Sequence, residues 1–586
     1  SHSPMKISPD GTVVWYKHLY GHNAIVSNSY PTVSNMKMLG DTALFLCSEI
    51  YFPSQRRYRL MDSIFIVDTL LYSTDTGFLP LHFFDSVERN QSIGFPMVLS
   101  AEDGHLQEYH TVETAFVGED GRLRSIYSFD ANERDTARIF FESAKWIDCD
   151  FDGNGNFVGI TYPNSYFYCE GVRGMCYLVD NKRQGEILQP SSHDVGNNLM
   201  VKFSPHFDSL LAYQWLFDSV GKNFSCSLKC IKTDSHGNIY TTWCLDVPTA
   251  SLPLHLVFAG NSSMTIDVTH NHEGIVVKYS PELTPLWVKQ LHSSWTEDVL
   301  APIMWLAGIA IDEDSGAVVV AGGARGGLTH KYPVIIDDTT IEACHGCFVF
   351  RFDIYDGHLV SYGIMDYSPE PGEEYLSFGP LSIAPQIAAS RGRVWFEVLF
   401  QKGFCYDDTV FYTPDHSGIS YGGGVMVIDY QGRFVDFLDF QRTVNATNNS
   451  HFLLQSDSVL YYGAMYGSGE YSWFGDTCVM ANDDIGVIAR YVDPAYAIPY
   501  GQQPVAVPYI PLQSSDMLAV WPNPTHNVVH LACRDIKAVW LVAADGRRTQ
   551  LQCKDGTVSL AAFAPGLYVF EVQTADGVYK AKVVRE

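Results

Sequence analysis

From residue 1 to about 493, short runs of Val, Ile, Tyr, Phe and Trp alternate with Gly, Asp and Asn. β-branched and aromatic side chains suit a pleated, half-buried surface, and the punctuating residues suit tight turns between strands. No stretch carries the 3.6-residue apolar period of an amphipathic helix, so the pattern predicts an all-β fold. The runs also repeat. One unit, from Gly274 to Leu291, reads GIVVKYSPELTPLWVKQL: a strand, a turn and a strand. Related units begin at Leu199 (LMVKFSPHFDSLLAYQWL), Cys347 (CFVFRFDIYDGHLVSYG) and Val425 (VMVIDYQGRFVDFLDF). A second hairpin built around a Gly or Asp turn precedes most of them, as in DGNGNFVGITY (152–162), DSHGNIYTTW (234–243), DEDSGAVVVAGG (312–323), SRGRVWFEVLF (390–400) and SDSVLYYGAMYG (456–467).

Two hairpins per unit make a four-stranded sheet, and a repeated sheet of roughly 45–80 residues signals radial repetition. With weaker units near 39–84 and 95–129, the count predicts a seven-bladed β-propeller, six or eight blades being the alternatives. The ends of this segment support closure. The last unit stops after Gly486–Tyr491 (GVIARY), and the N-terminus begins SPDGTVVWYKHL (8–19). Joined, they align without a gap on Gly274–Leu291, setting Trp15 on Trp287, Lys17 on Lys289 and Leu19 on Leu291. A blade shared by both ends would close the ring and leave no exposed sheet edge. The units resemble, diffusely, the propeller repeats of the form "vvkyd…G…W.k.l" found in many secreted bacterial proteins.

In such a blade the connections after the second and fourth strands share one face. The long segments here fall after the second strand, at 163–198, 245–273, 324–346, 401–424 and 468–484, and several after the fourth are long too. That face is therefore the expected ligand surface, with Tyr332, Asp337, Tyr406, Asp408, Tyr412, His416, Tyr421, Tyr471 and Trp473 as its aromatic and acidic residues. The expected ligand is a protein or glycan. A hydrolase or lyase with its site on the same face is the alternative.

Charge narrows the partner. The chain carries 38 Lys+Arg against 66 Asp+Glu, a net −28. From Ser515 onward the balance is 8 to 7, so the first 514 residues hold 30 against 59. So acidic a surface repels phosphate backbones and excludes nucleic acid as a natural partner. No apolar run approaches the ~18 residues of a membrane span. No basic-then-apolar leader opens the chain, which predicts that any signal peptide has been removed.

Few motifs carry chemistry. Asp150, Asp152 and Asn154 alternate before Gly155, the oxygen spacing of a calcium loop, but Thr161 stands where a bidentate Glu is needed, and the same letters make a hairpin turn. Ca²⁺ is thus the one cofactor in view, and none is the favoured expectation. Cys344 and Cys347 have CxxC spacing against a strand, without the helix N-terminus of a redox pair or the further ligands of a zinc site. They read as a disulfide, as do Cys169 with Cys176, and Cys533 and Cys553 join the disulfide candidates. Thirteen cysteines suit an oxidising compartment and leave one thiol over. Ala321–Leu328 (AGGARGGL) opens no helix and cradles no phosphate. Asp337–Asp338 and Asp407–Asp408 read as solvated charge rather than paired catalytic carboxylates.

Five prolines stiffen a linker at 494–514 (PAYAIPYGQQPVAVPYIPLQS). Beyond it, strands expected at 527–532, 537–543, 557–561, 567–574 and 578–584 predict a small β-sandwich over 515–586. WPNP (521–524), DGRR (545–548) and PGLYVFEV…GVYKAKVV (565–584) follow in that order. This tail resembles the C-terminal sorting domain of the type IX secretion pathway of Bacteroidetes, with Trp521 where the family has Tyr. The resemblance rests on Pro522, Asn523, Pro524, Gly546, Gly566, Tyr568, Lys580 and Lys582. It implies export across the outer membrane, with the type IX translocon and its outer-membrane shuttle protein as partners and a secreted or cell-surface location. In typical cargo the tail is removed and the protein joined to anionic lipopolysaccharide; a minority of the apparatus keep it, so an accessory component of the secretion and outer-membrane machinery is expected beside a protein- or glycan-binding module. Several Asp-Ser/Thr-aliphatic triplets, among them those at Asp41, Asp62, Asp135 and Asp457, resemble the O-glycosylation sequon of that phylum.

Overall fold

The computed structural model describes residues 4–492 and 520–585, apart from 9–12, 23–30, 40–42, 53–62, 74–90, 119–122, 125–145, 162–171, 189–197, 219–223, 294–302, 326–332, 342–345, 367–386, 413–420, 443–449, 467–470, 481–484, 522–524, 532–535, 544–546, 575–577 and isolated or paired positions such as 18, 111 and 181. It divides into two units, Ser1–Pro494 and Ala495–Glu586. The linker at 494–514 lies outside the described residues. Apart from one short 3-10 turn, Thr249–Ser251, the described elements are β-strands, and every named strand pairing is antiparallel. No described helix is long and apolar enough to cross a membrane.

The first unit is built on a four-strand meander that recurs five times. The strands are Pro31–Leu39, Ala43–Phe52, Gln91–Ser100 and Leu106–Tyr109; then Trp146–Phe151, Phe157–Thr161, Leu199–Phe203 and Leu210–Trp215; Ser225–Thr233, Ile239–Asp246, His272–Tyr279 and Pro285–Ser293; Ile303–Asp312, Ala317–Arg325, Gly346–Asp353 and Leu359–Asp366; and Ile387–Ser390, Arg393–Gln401, Tyr421–Asp429 and Phe434–Arg442. A three-stranded sheet follows, Ser450–Ser456, Val459–Tyr466 and Ile485–Val492. Two expectations are corrected here. Ala43–Phe52 pairs along its whole length with Gln91–Ser100, so strands assigned to two units, near 39–84 and 95–129, belong to one sheet, and the hairpin 63–73 between them joins another. And the N-terminal segment is a hairpin, Met5–Ile7 against Val13–Tyr16, bringing its own third-position strand instead of a fourth strand alone.

Burial explains why these strands read as continuous apolar text: the sheets stack face to face, so both faces are covered. In His272–Tyr279, Ile275, Val277 and Tyr279 pack toward the preceding meander, with Val158 and Ile160, whereas Val276 packs toward the next, with Val318 and Phe350. One strand later the alternation repeats: Val318 and Val320 face back, Val319 and Ala321 face forward onto Val394 and Phe396. The first strands of successive meanders also touch one another, from Pro31–Leu39 through Trp146–Phe151, Ser225–Thr233 and Ile303–Asp312 to Ile387–Ser390.

The second unit is a two-sheet sandwich. Val520–Trp521, Val528–Leu531, Thr557–Ser559 and Cys553–Lys554 form one sheet; Arg548–Leu551, Ala538–Ala543, Gly566–Gln573 and Val578–Arg585 form the other. Val529, Leu531, Val558, Val539, Leu541, Phe570, Val572 and Val583 fill the space between them. The five expected strands are present, and the three that sequence missed are short.

Candidate binding face

The long connections after the second strands are not open loops. Each carries a hairpin, and each hairpin extends the last strand of the sheet before it. Ser63–Ile66 of the hairpin 63–73 pairs with Leu19–His22, which follows the N-terminal hairpin. Val172–Val179, backed by Lys182–Leu188, pairs with Val112–Gly118. The hairpin Leu254–Val257/Thr265–Val268 reaches back through a bridge from Phe258 to Phe217. Val334–Ile336 pairs with Leu291–Ser293, Gly403–Tyr406 with Met365–Asp366, and Tyr471–Phe474 with Phe440–Arg442. Backbone hydrogen bonds thus clasp each sheet to its successor, in a segment where exposed N–H and C=O groups would otherwise need partners.

The expected ligand residues fall on these clasps. Tyr406 is a core residue and not a surface one: it is 1% exposed and its hydroxyl donates to the Gly432 carbonyl at 2.5 Å. Asp337 sits at the turn between Val334–Ile336 and Thr339–Ile341 and accepts from Lys289 Nζ at 2.8 Å. Tyr412, Tyr421, Tyr471 and Trp473 lie within strands, opposite Gly403, Gln401, Met480 and Cys478 respectively. Tyr332, Asp408 and His416 lie outside the described residues.

The calcium spacing resolves into turn chemistry. Asp152 Oδ1 accepts from the Asn154 and Asn156 amides, both at 2.9 Å, while Oδ2 accepts from Asn156 Nδ2 at 2.9 Å and pairs with Lys202 Nζ at 2.7 Å. Asp150 turns instead to the next sheet, its Oδ2 accepting from Thr233 N at 2.8 Å and Thr233 Oγ1 at 3.0 Å. Asn154 is exposed. The two carboxylates therefore serve different partners. Asp234 repeats the Asp152 arrangement with the amides of His236 and Asn238. Asp353, Asp356 and His358 approach one another within 4.8 Å, but Asp356 Oδ1 is held by the His358 amide and ring, again a turn.

Between first strands lies a cluster that the sequence did not advertise. Asp148 Oδ2 accepts from the Ile231 amide at 2.9 Å, beside Asp150, Cys230 and Lys232. Burial raises the Asp148 carboxyl despite Lys232. Lys232 is exposed at its surface; the packing around it would lower its ammonium, and Cys230, Asp150 and Asp148 outweigh that and hold it above the ordinary value. Burial, and then the neighbouring Asp148 carboxyl, push the half-buried Cys230 thiol up to about 12, which disfavours its thiolate. Aspartates at alternate positions here accept amides that a neighbouring strand would take in an ordinary sheet.

Of the disulfide candidates, Cys176 is a buried free thiol raised to about 11 by burial, and Cys553 packs beside the tail core. Cys347 opens the strand Gly346–Asp353 opposite Gly323 and Met365. Cys169, Cys344 and Cys533 lie outside the described residues. In the tail, Tyr568 donates to the Ala564 carbonyl at 2.7 Å and Lys580 pairs with Glu571 at 3.1 Å. Gly566 opens the strand that carries Tyr568, and Lys582 stands opposite Val569. Pro522, Asn523, Pro524 and Gly546 lie outside the described residues.

No protein-family model matches the chain, and no curated protein does. Among solved structures, the extracellular domain assigned to a hybrid two-component system of B. thetaiotaomicron aligns over 100% of this chain and 97% of its own at 10% identity, with a TM-score of 0.16. A second structure of that domain, assigned to a one-component system, covers 96% and 88% at 10% identity and TM-score 0.15. The extracellular domain of another hybrid two-component system of the same organism covers 94% and 84% at 11% and 0.15. At such scores the likeness carries no argument about this chain.

Proposed function

We propose that Ser1–Pro494 is a β-propeller domain that acts at the cell surface as a non-enzymatic binding module for a protein or glycan, exported through the type IX pathway on the sorting domain at its C-terminal side. Adjacent first strands, cores shared between facing sheets and the clasp hairpins all support a radial array. The observation that supports the export reading is the tail: a sandwich whose final hairpin, Gly566–Gln573 with Val578–Arg585, carries Tyr568, Lys580 and Lys582, residues on which the resemblance rests. Its partners are the translocon and the outer-membrane shuttle protein. The acidic first unit meets its ligand with the face where clasp hairpins and fourth-strand connections gather.

The test is export of the full chain and of a form lacking 515–586, each with a signal peptide, in a type IX-competent bacterium and in its translocon-deficient derivative. Only the tailed form in the competent strain should be accessible to external protease. Equal exposure of the tail-less form, or exposure without the translocon, would overturn the export reading. Incubating exported protein with outer-membrane extract and with immobilised glycans addresses the binding half; retention of neither a protein nor a glycan by 1–494 would sink it.

A further inference from the structure

His110 follows the strand Leu106–Tyr109, and its backbone amide donates to the Pro96 carbonyl at 2.9 Å. Asp180 sits at the tip of the clasp hairpin, between Val172–Val179 and Lys182–Leu188, at a positive φ of 49° that Asp tolerates better than most residues. The His110 ring joins strand to tip: Nε2 lies 2.9 Å from Glu108 Oε1, and Nδ1 lies 2.8 Å from Asp180 Oδ2. The ring also rests beside buried Phe207 of the second meander, with centroids 6.0 Å apart.

An ionised carboxylate only accepts hydrogen bonds, and a neutral imidazole offers a single N–H. With both carboxylates ionised, the two bonds are made together only by the imidazolium. Burial would lower His110, but Asp180 and Glu108 outweigh it and hold the ring above its ordinary value. Burial would raise Glu108, but His206 and His110 hold it below its own. His206 lies in the exposed turn between Leu199–Phe203 and Leu210–Trp215, its Nδ1 3.0 Å from Glu108 Oε2. The other charged groups on these elements have partners or face water: Asp208 accepts from Ser204 and Ser209, Arg183 pairs with Glu186 at 2.8 Å, and Lys182 is exposed.

We infer that His110 is a proton-operated latch: as the imidazolium it ties the tip of the clasp hairpin to the first meander, and on losing its proton it releases Asp180 or Glu108. The sign follows from the two bonds. They favour the charged ring in the folded chain, so the latch is complete below the unfolded imidazole's pKa, near 6.5, and is lost as pH rises through the folded value. The clasp therefore tightens in acid and loosens in alkali. The hairpin stays in place, because Val112–Gly118 and Val172–Val179 keep their ladder; what loosens is its tip end, where Val112 stands opposite Val179. Another clasp tip is held by a charge that persists through this range, Lys289 with Asp337 at 2.8 Å.

Deuteration of histidine C2, followed by mass spectrometry on the full chain, reads the pKa of His110 directly. It should lie above the ordinary imidazole value and fall toward it in Asp180→Asn. Amide exchange at Val112–Thr114 and Tyr177–Val179, corrected for the intrinsic effect of pH, should rise between pH 6 and pH 9 by roughly 2–5-fold, the scale of a partly exposed ion pair. Ile275–Tyr279 should keep its protection throughout. His110→Gln, whose amide donates from one nitrogen, should show the loosened exchange at every pH, and His110→Lys should stay protected up to pH 9. A His110 pKa at or below the ordinary value would overturn the latch, as would a pH course in His110→Gln that matches wild type. Should either substitution disturb the fold, the histidine titration of the unaltered chain still decides.

Discussion

Gly357 and Gly392 both adopt positive φ, 72° and 82°, yet they differ in what surrounds them. A Cβ on Gly357 would stand 2.7 Å from the Trp287 ring, while one on Gly392 would meet nothing within 4 Å. Alanine at either position bears the left-handed cost of about 1–2 kcal/mol; at 357 the buried indole must move as well. Gly357→Ala should therefore lower the urea midpoint clearly more than Gly392→Ala, and equal losses would show that Trp287 yields freely. Asp152 makes a second residue-scale prediction. Burial would raise its carboxyl, but Lys202, Asn156 and the turn amides hold it below the ordinary value. A depressed folded value means that its contribution is present above the unfolded carboxylate's pKa, near 3.9, and is lost as pH falls through the folded one. Asp152→Asn should thus melt lower than wild type at pH 7, and the gap should narrow by pH 3. A gap that stays constant across that range would assign the effect to shape instead of charge.

At the scale of elements, the strand–turn–strand units were legible because both strands are long and the turns between them carry Gly, Asp or Asn with a physical job. Asp152 and Asp234 fold their turns by accepting amides, and those turns are where the hairpins were expected. The clasps were not legible. Their strands are as short as Val334–Ile336 and Thr339–Ile341, too brief for a period-2 pattern to show, so aromatic-rich text between second and third strands read as ligand loops. The same brevity hid the hairpin 63–73 between the second and third strands of the first meander, so the strands on either side of it were assigned to separate units. Tyr406 shows the consequence: an aromatic placed by sequence on a surface is buried by a hairpin that extends the preceding sheet. The clasp has a measurable role. Replacing 334–341 by a short Gly/Ser linker should raise amide exchange at Leu291–Ser293, whose partners are removed, and leave Ile275–Tyr279 protected between its two neighbours. Unchanged exchange at 291–293 would mean that the clasp adds nothing to the sheet it extends.

On the scale of the whole first unit, the remaining question is how the array ends. The N-terminal hairpin stands before the first meander as each meander stands before its successor. Lys6 Nζ donates to the Ala101 carbonyl at 2.8 Å and Trp15 lies over Gly104; Lys278 Nζ donates to the Ile354 carbonyl at 2.7 Å and Trp287 lies over Gly357. Leu19–His22, continuing from that hairpin, receives the first clasp. At the other end, the sheet Ser450–Val492 has three strands among the described residues and no fourth. Val13, Val14 and Tyr16 are 51%, 51% and 67% exposed, and Ile488 is 51% exposed. Apolar surface left on both ends of a repeating array favours their meeting, since each exposed side chain gains about 25 cal/mol for every Å² it buries. Closure predicts a long-range effect that an open array lacks. Deleting residues 1–22 removes contacts of the first meander in either case, so amide exchange should rise around Ala101–Gly104 and Ser63–Ile66. In a closed ring it should also rise across Val459–Tyr466 and Ile485–Val492, hundreds of residues away in sequence. Exchange confined to the first meander would leave the array open, and the shared blade would have to be abandoned.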